Sequence, residues 1–136
     1  MSQPGIYEIS GSALLAQRQR LQTIASNLAN ANSITSAGGA PYRAREVVFR
    51  AVPASASDPS GPETVRVTGT VQSRAPFRQS YDPGSPFANK RGYVVGSNVS
   101  RVRQMTDLID ASRSYAANVA MLRQAQRIDQ QIISGF

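Results

Sequence analysis

The sequence predicts an α+β fold: long N- and C-terminal helices packed as an antiparallel coiled-coil-like pair, with a small β-rich middle segment. Three observations predict it. Apolar residues recur every three or four positions over residues 6–31, the same spacing returns from about residue 98 to 133, and the stretch between is rich in Pro, Gly, Ser and Val. The 136 residues suffice for one domain of ordinary size. The expected layout is an N-terminal helix (1–35), a β-rich middle (36–97) and a C-terminal helix (98–136), together forming one structural unit.

In the first helix Ile6, Ile9, Ala13, Leu14, Leu21, Ile24 and Leu28 define one face, with Gln17 filling a step. The opposite face, with Gln19, Arg20, Gln22, Thr23, Ser26, Asn27 and Asn30, is polar and almost uncharged, suited to water or to a neighbouring subunit. Such a helix is about 39 Å long. Asn30, Asn32, Ser33, Ser36, Gly38, Gly39 and Pro41 then stop it, because these residues leave helical geometry easily.

Residues 42–52 read as a strand, with Val47, Val48, Phe49 and Val52 among Arg43, Arg45, Glu46 and Arg50. Residues 53–62 hold three prolines and three serines and are expected as a flexible loop. Val65, Val67 and Val71 alternate in a second strand over residues 64–71, and residues 93–95 form a third. Between them Phe77, Tyr81 and Phe87 anchor a run of turns.

Asn98 or Ser100 is placed to cap the second helix, about 50 Å long. One stripe on it comprises Val102, Met105, Leu108, Ile109, Ser112, Tyr115, Ala116, Val119 and Leu122. Leu14, Leu21, Ile24 and Leu28 against Leu108, Tyr115, Val119 and Leu122 are the expected internal seam. Ala117, Met121, Ala125, Ile128 and Ile132 form a second stripe on nearly the opposite side. A helix with two apolar faces needs two partners, so Met121, Ala125, Ile128 and Ile132 are intersubunit candidates, the alternative being that they fold onto the middle segment. Asn27, Asn30 and Asn32 either bond to adjacent chains or only end the first helix.

The chain lacks Cys and His, which removes disulfides, the usual zinc sites, Ser-His-Asp triads and Cys-His dyads. Asp107 and Asp110 stand one turn apart and read as solvated residues of the helix's first turn. No serine has a base to activate it, no phosphate loop follows Gly38-Gly39, and Asn98-Val99-Ser100 is a common short pattern. No cofactor and no metal are expected, and the reading is non-enzymatic.

Net charge is +7, carried almost wholly by arginine since Lys90 is the only lysine. That raises nucleic-acid binding, but the arginines are scattered from Arg18 to Arg127 without a stacking platform, so no nucleic-acid partner is expected. Arginine's planar fork suits contacts within an assembly, and Arg45, on a strand with Glu46, is a candidate for pairing with an acidic neighbour. The N-terminus lacks the pattern of a Sec signal peptide and no run reaches a membrane span, so neither Sec export nor membrane insertion is expected.

Residues 12–32, ending in Asn27-Leu28-Ala29-Asn30-Ala31-Asn32, resemble the N-terminal helix of bacterial flagellar rod and hook proteins. The resemblance continues through Gly38-Gly39-Ala40-Pro41-Tyr42-Arg43, Val47-Val48-Phe49, Tyr81-Asp82-Pro83-Gly84, Gly92-Tyr93-Val94 and the segment from Ala111-Ser112-Arg113-Ser114 to Val119. It covers nearly the whole chain, and the length fits the short proximal-rod members, a sister rod subunit being the first alternative. It implies a structural subunit of the flagellar basal body, exported through the flagellar type III apparatus to a periplasmic rod. Its implied partners are that apparatus, other rod subunits and copies of itself.

Overall fold

The computed structural model describes residues 4–35 and 39–135. Ser36 and Gly38, part of the expected helix stop, lie outside the described residues. The elements are α1 (Pro4–Ala29), β1 (Ile34–Thr35), β2 (Arg45–Ser55), β3 (Asp58–Gln72), β4 (Gln79–Tyr81), β5 (Tyr93–Gly96) and α2 (Arg101–Ser134). They divide into two compact units. Unit 1 takes Met1–Leu21, Val47–Gly69 and Ile109–Phe136, and unit 2 takes Gln22–Glu46 and Thr70–Leu108. Each expected segment (1–35, 36–97, 98–136) contributes to both units.

In unit 1 the hairpin of β2 and β3 overturns the expected flexible loop. The strands run through Pro53, Pro59 and Pro62, and only Ala56 and Ser57 make the turn. A two-stranded ribbon explains this: each strand has an outward edge, where proline's missing N–H costs no ladder bond. Thr64 and Thr68 reach across to the carbonyls of Val52 and Val48 (3.2 and 3.4 Å), and the Val65 N–H donates to Ser12 Oγ on α1 at 3.0 Å. That last bond ties the ribbon to the helix.

Unit 2 is built on the antiparallel sheet β1-β5-β4. Tyr81 lies directly opposite Tyr93, their rings edge-on at 5.4 Å. The loop between β4 and β5 closes through Asp82 N–H to Gly92 O at 2.9 Å. Gly92 has φ +82°, and a Cβ there would stand 2.9 Å from the Tyr81 ring, so only glycine fits the turn. Ala31, Ala44 and Val99 form a small core with Tyr42 packed against it. Asn98 does not cap α2. Its side chain accepts from Ala44 N–H (2.6 Å) and donates to the carbonyls of Ser73 and Ala75, while Ser100 Oγ accepts from Arg103 N–H as the cap. Because α2 begins at Arg101, Asp107 and Asp110 fall beyond its first turn.

The buried line of α2 runs between the two expected stripes and takes members of each. Gln104, Ala111 and Ala125 are buried, with Leu108, Asn118 and Leu122 half-buried on the same line, at steps of three, four and seven. That line falls between the two stripes, about a quarter turn from each. Val102, Met105 and Ile109, expected to face α1, remain 78%, 59% and 54% exposed. The physical reason is that small or hydrogen-bonded side chains take the fully buried positions, Leu108 and Leu122 are only half covered, and the remaining large aliphatics stand on the flanks.

Candidate assembly surface

Asn27 is the best-satisfied polar side chain in unit 2 and is fully buried. Its amide nitrogen donates to Arg45 O at 2.8 Å and to Gln104 Oε1 at 3.0 Å. Its oxygen accepts from Tyr42 Oη at 2.9 Å and from Arg45 N–H at 3.0 Å. Both N–H groups and both lone-pair positions of the amide are therefore used. To Arg45 it behaves as a strand partner would, offering one donor and one acceptor where β2 begins. Within this chain Asn27 joins α1, α2 and the hairpin base. Asn30 caps its own helix through Ser26 O at 2.8 Å, and Asn32 is exposed in the turn that follows.

Of the expected seam residues, Ile24 is buried, Leu14, Leu21, Leu28, Leu108, Val119 and Leu122 are half-buried, and Tyr115 remains 37% exposed. In unit 1 the Tyr7 hydroxyl donates to the Asp129 carboxylate at 2.5 Å, joining α1 to α2. Beside it Ile6, Met121, Ala125 and Ile128 line a notch of about 190 Å³. Ala125 is buried at its floor, whereas Met121, Ile128 and Ile132 are exposed. Arg45 presents an exposed side chain, and the adjacent Glu46 pairs with Arg103 at 3.1 Å. Among the described residues no three His, Cys, Asp or Glu side chains form a metal cage, and no helix is long and apolar enough to cross a membrane. What the geometry offers is surface: apolar side chains on long helices that no other described residue covers.

Two family models match. The flagella basal body rod protein model covers residues 8–36, and the flagellar basal body rod FlgEFG protein C-terminal model covers residues 90–135. The flagellar basal-body rod protein FlgC of Escherichia coli O6:H1 is 48% identical over 117 residues, 86% of this chain and 85% of that protein. The chain belongs to the FlgC family of flagellar basal-body rod proteins. FlgC of Yersinia enterocolitica is 46% identical over 122 residues, 90% of this chain and 89% of its own. That of Agrobacterium fabrum is 38% identical over 120 residues, 88% and 84%. On this FlgC-family chain the first matched segment contains Asn27, and the second contains β5 and all of α2.

The Tyr7–Asp129 contact has a pH signature. The hydrogen bond to Asp129, then partial burial and the carboxylate's charge, raise the Tyr7 pKa above its ordinary value of 10.0, because a phenolate there would face a carboxylate. The contact is intact below the ordinary tyrosine range and is lost only as pH rises through the raised value. Ultraviolet titration of the wild type against Asp129→Asn should show the Tyr7 ionisation move to lower pH in the variant. A tyrosine titration unchanged by Asp129→Asn would refute the contact.

Proposed function

We propose that this chain is a structural, non-enzymatic subunit of the proximal flagellar rod, packing through its long helices into the axial shaft that transmits motor torque. Membership of the FlgC family of basal-body rod proteins is the observation that carries this reading. The uncovered apolar side chains of α2 support it, since such side chains on a rigid helix gain free energy when a neighbour removes them from water. Torque is then spread over many side-chain contacts rather than borne by one bond. The rod reading also entails export through the flagellar type III apparatus and a periplasmic position. α1 and α2 act as an antiparallel, coiled-coil-like pair in the assembled rod.

The pair is short of large buried side chains: Ser10, Ala16, Ile24 and Asn27 on α1, and Gln104, Ala111 and Ala125 on α2. Helices so lightly packed open locally at low free-energy cost until neighbours cover them. In hydrogen exchange, amides of the first 15 and last 20 residues or so should exchange faster in the purified subunit than in isolated basal bodies, through local opening of folded helices. Equal exchange of both segments in the free subunit and in basal bodies would sink the idea that assembly protects them. The reading itself is tested genetically: deleting the gene should abolish filament assembly and leave the membrane ring in place, and a normal filament would refute it.

A further inference from the structure

Unit 2 carries eight basic and only three acidic side chains (Glu46, Asp82 and Asp107), against seven and five in unit 1, so five of the chain's seven net positive charges reside there. In the same unit a cleft of about 390 Å³ opens at the hairpin base, lined by Pro41, Tyr42, Arg43, Arg45, Gln72 and Phe77. Arg43 is fixed in its wall, with its guanidinium 4.3 Å from the Phe77 ring centroid and one N–H donated to Ser73 O at 3.2 Å. Arg45 projects from a backbone pinned on both sides by Asn27. The nearest acid along the strand, Glu46, is engaged by Arg103. Two arginines on an apolar floor of Tyr, Phe and Pro form a site for carboxylates on a segment that also brings apolar contacts.

We propose that this cleft docks an acidic segment of a different axial subunit and not a second copy of this chain, a deepening that rests on the rod reading. The sequence disfavours the copy. Nowhere among its 136 residues are two acids adjacent, and the closest pair, Asp107 and Asp110, includes a half-buried residue that already has a partner. Two copies meeting at this face would also bring their basic excess together, which repels. The contact is therefore heterologous, one that a shaft built from unlike subunits requires.

The test places the photo-cross-linker p-benzoylphenylalanine at Gln72 in the full chain, in flagellated cells. A parallel strain carries it at Ile128. The Gln72 probe should form an adduct with a different axial protein, the cross-linked peptide containing at least two nearby Asp or Glu residues. Arg45→Glu should cut the yield at least tenfold while leaving the circular dichroism spectrum unchanged, because Asn27 holds only the Arg45 backbone. Exchanging the mapped acid for Arg on the partner should restore the yield. A self-adduct, a nucleic-acid adduct, no adduct, or a yield indifferent to Arg45→Glu each overturns the proposal. If the Ile128 probe alone captures axial protein, only the cleft assignment falls. If both probes are silent, the rod reading falls with it.

Discussion

Asn27→Leu should remove most of the stability of unit 2, although leucine is close to asparagine in size and more apolar. The replacement strands the Arg45 N–H and carbonyl and the Gln104 side-chain oxygen around a fully buried site, and leaves the Tyr42 hydroxyl with only Ser26 Oγ at 3.2 Å. At about 1–3 kcal/mol for each group left without a partner, the total is about 4 kcal/mol or more. Small domains are stable by about 5–15 kcal/mol, so the loss amounts to a large share of the whole. Urea denaturation followed by circular dichroism should show a much lower midpoint, with the melting temperature down by about 10 °C or more. Asn27→Asp keeps the shape but exchanges both donors for a charge beside the Arg45 carbonyl, and should destabilise to a similar degree. Gln104→Leu breaks one bond of the four and should cost less than half as much. If Asn27→Leu unfolds within 1 kcal/mol of wild type, the amide is not the joint described here.

Ile128→Asp should leave the fold intact and prevent incorporation into the rod. Ile128 is 44% exposed on the rim of the notch beside Ile6 and Met121, so a carboxylate there can reach water in the free subunit. Once a neighbour covers the rim the same carboxylate is buried without a partner. A central apolar contact of this kind is worth about 2 kcal/mol or more, roughly a thirtyfold loss of affinity, repeated at every copy in the assembly. Swimming should cease while the free subunit's spectrum and melting temperature stay at wild-type values. Leu122→Asp is the contrasting case: the half-buried leucine borders the buried line of α2, so the free subunit itself should be destabilised. Normal motility of Ile128→Asp would show that this face meets no other chain.

Sequence alone determined the two long helices, because periods of three and four residues persist over most of α1 and α2 and no other local structure supports them. It determined the three strands near the valines, and the family was legible in Asn27-Leu28-Ala29-Asn30 and the motifs that follow it in order. The length of the hairpin was not legible. Residues 53–62 carry the composition of a loop, and only pairing between two strands with free edges lets the prolines remain extended. The face of α2 that turns inward was hidden for a different reason. Periodicity finds large apolar side chains, which lie on both flanks, whereas the buried line runs through Gln104, Ala111 and Ala125. Asn27 shows the same limit most plainly: in sequence it stands near the end of a helix, among other asparagines that serve the turn. Its partners, at Tyr42, Arg45 and Gln104, are 15, 18 and 77 residues away. Hydrogen-bond satisfaction of a buried amide is a property of what surrounds it in space, and only the tertiary structure supplies those surroundings.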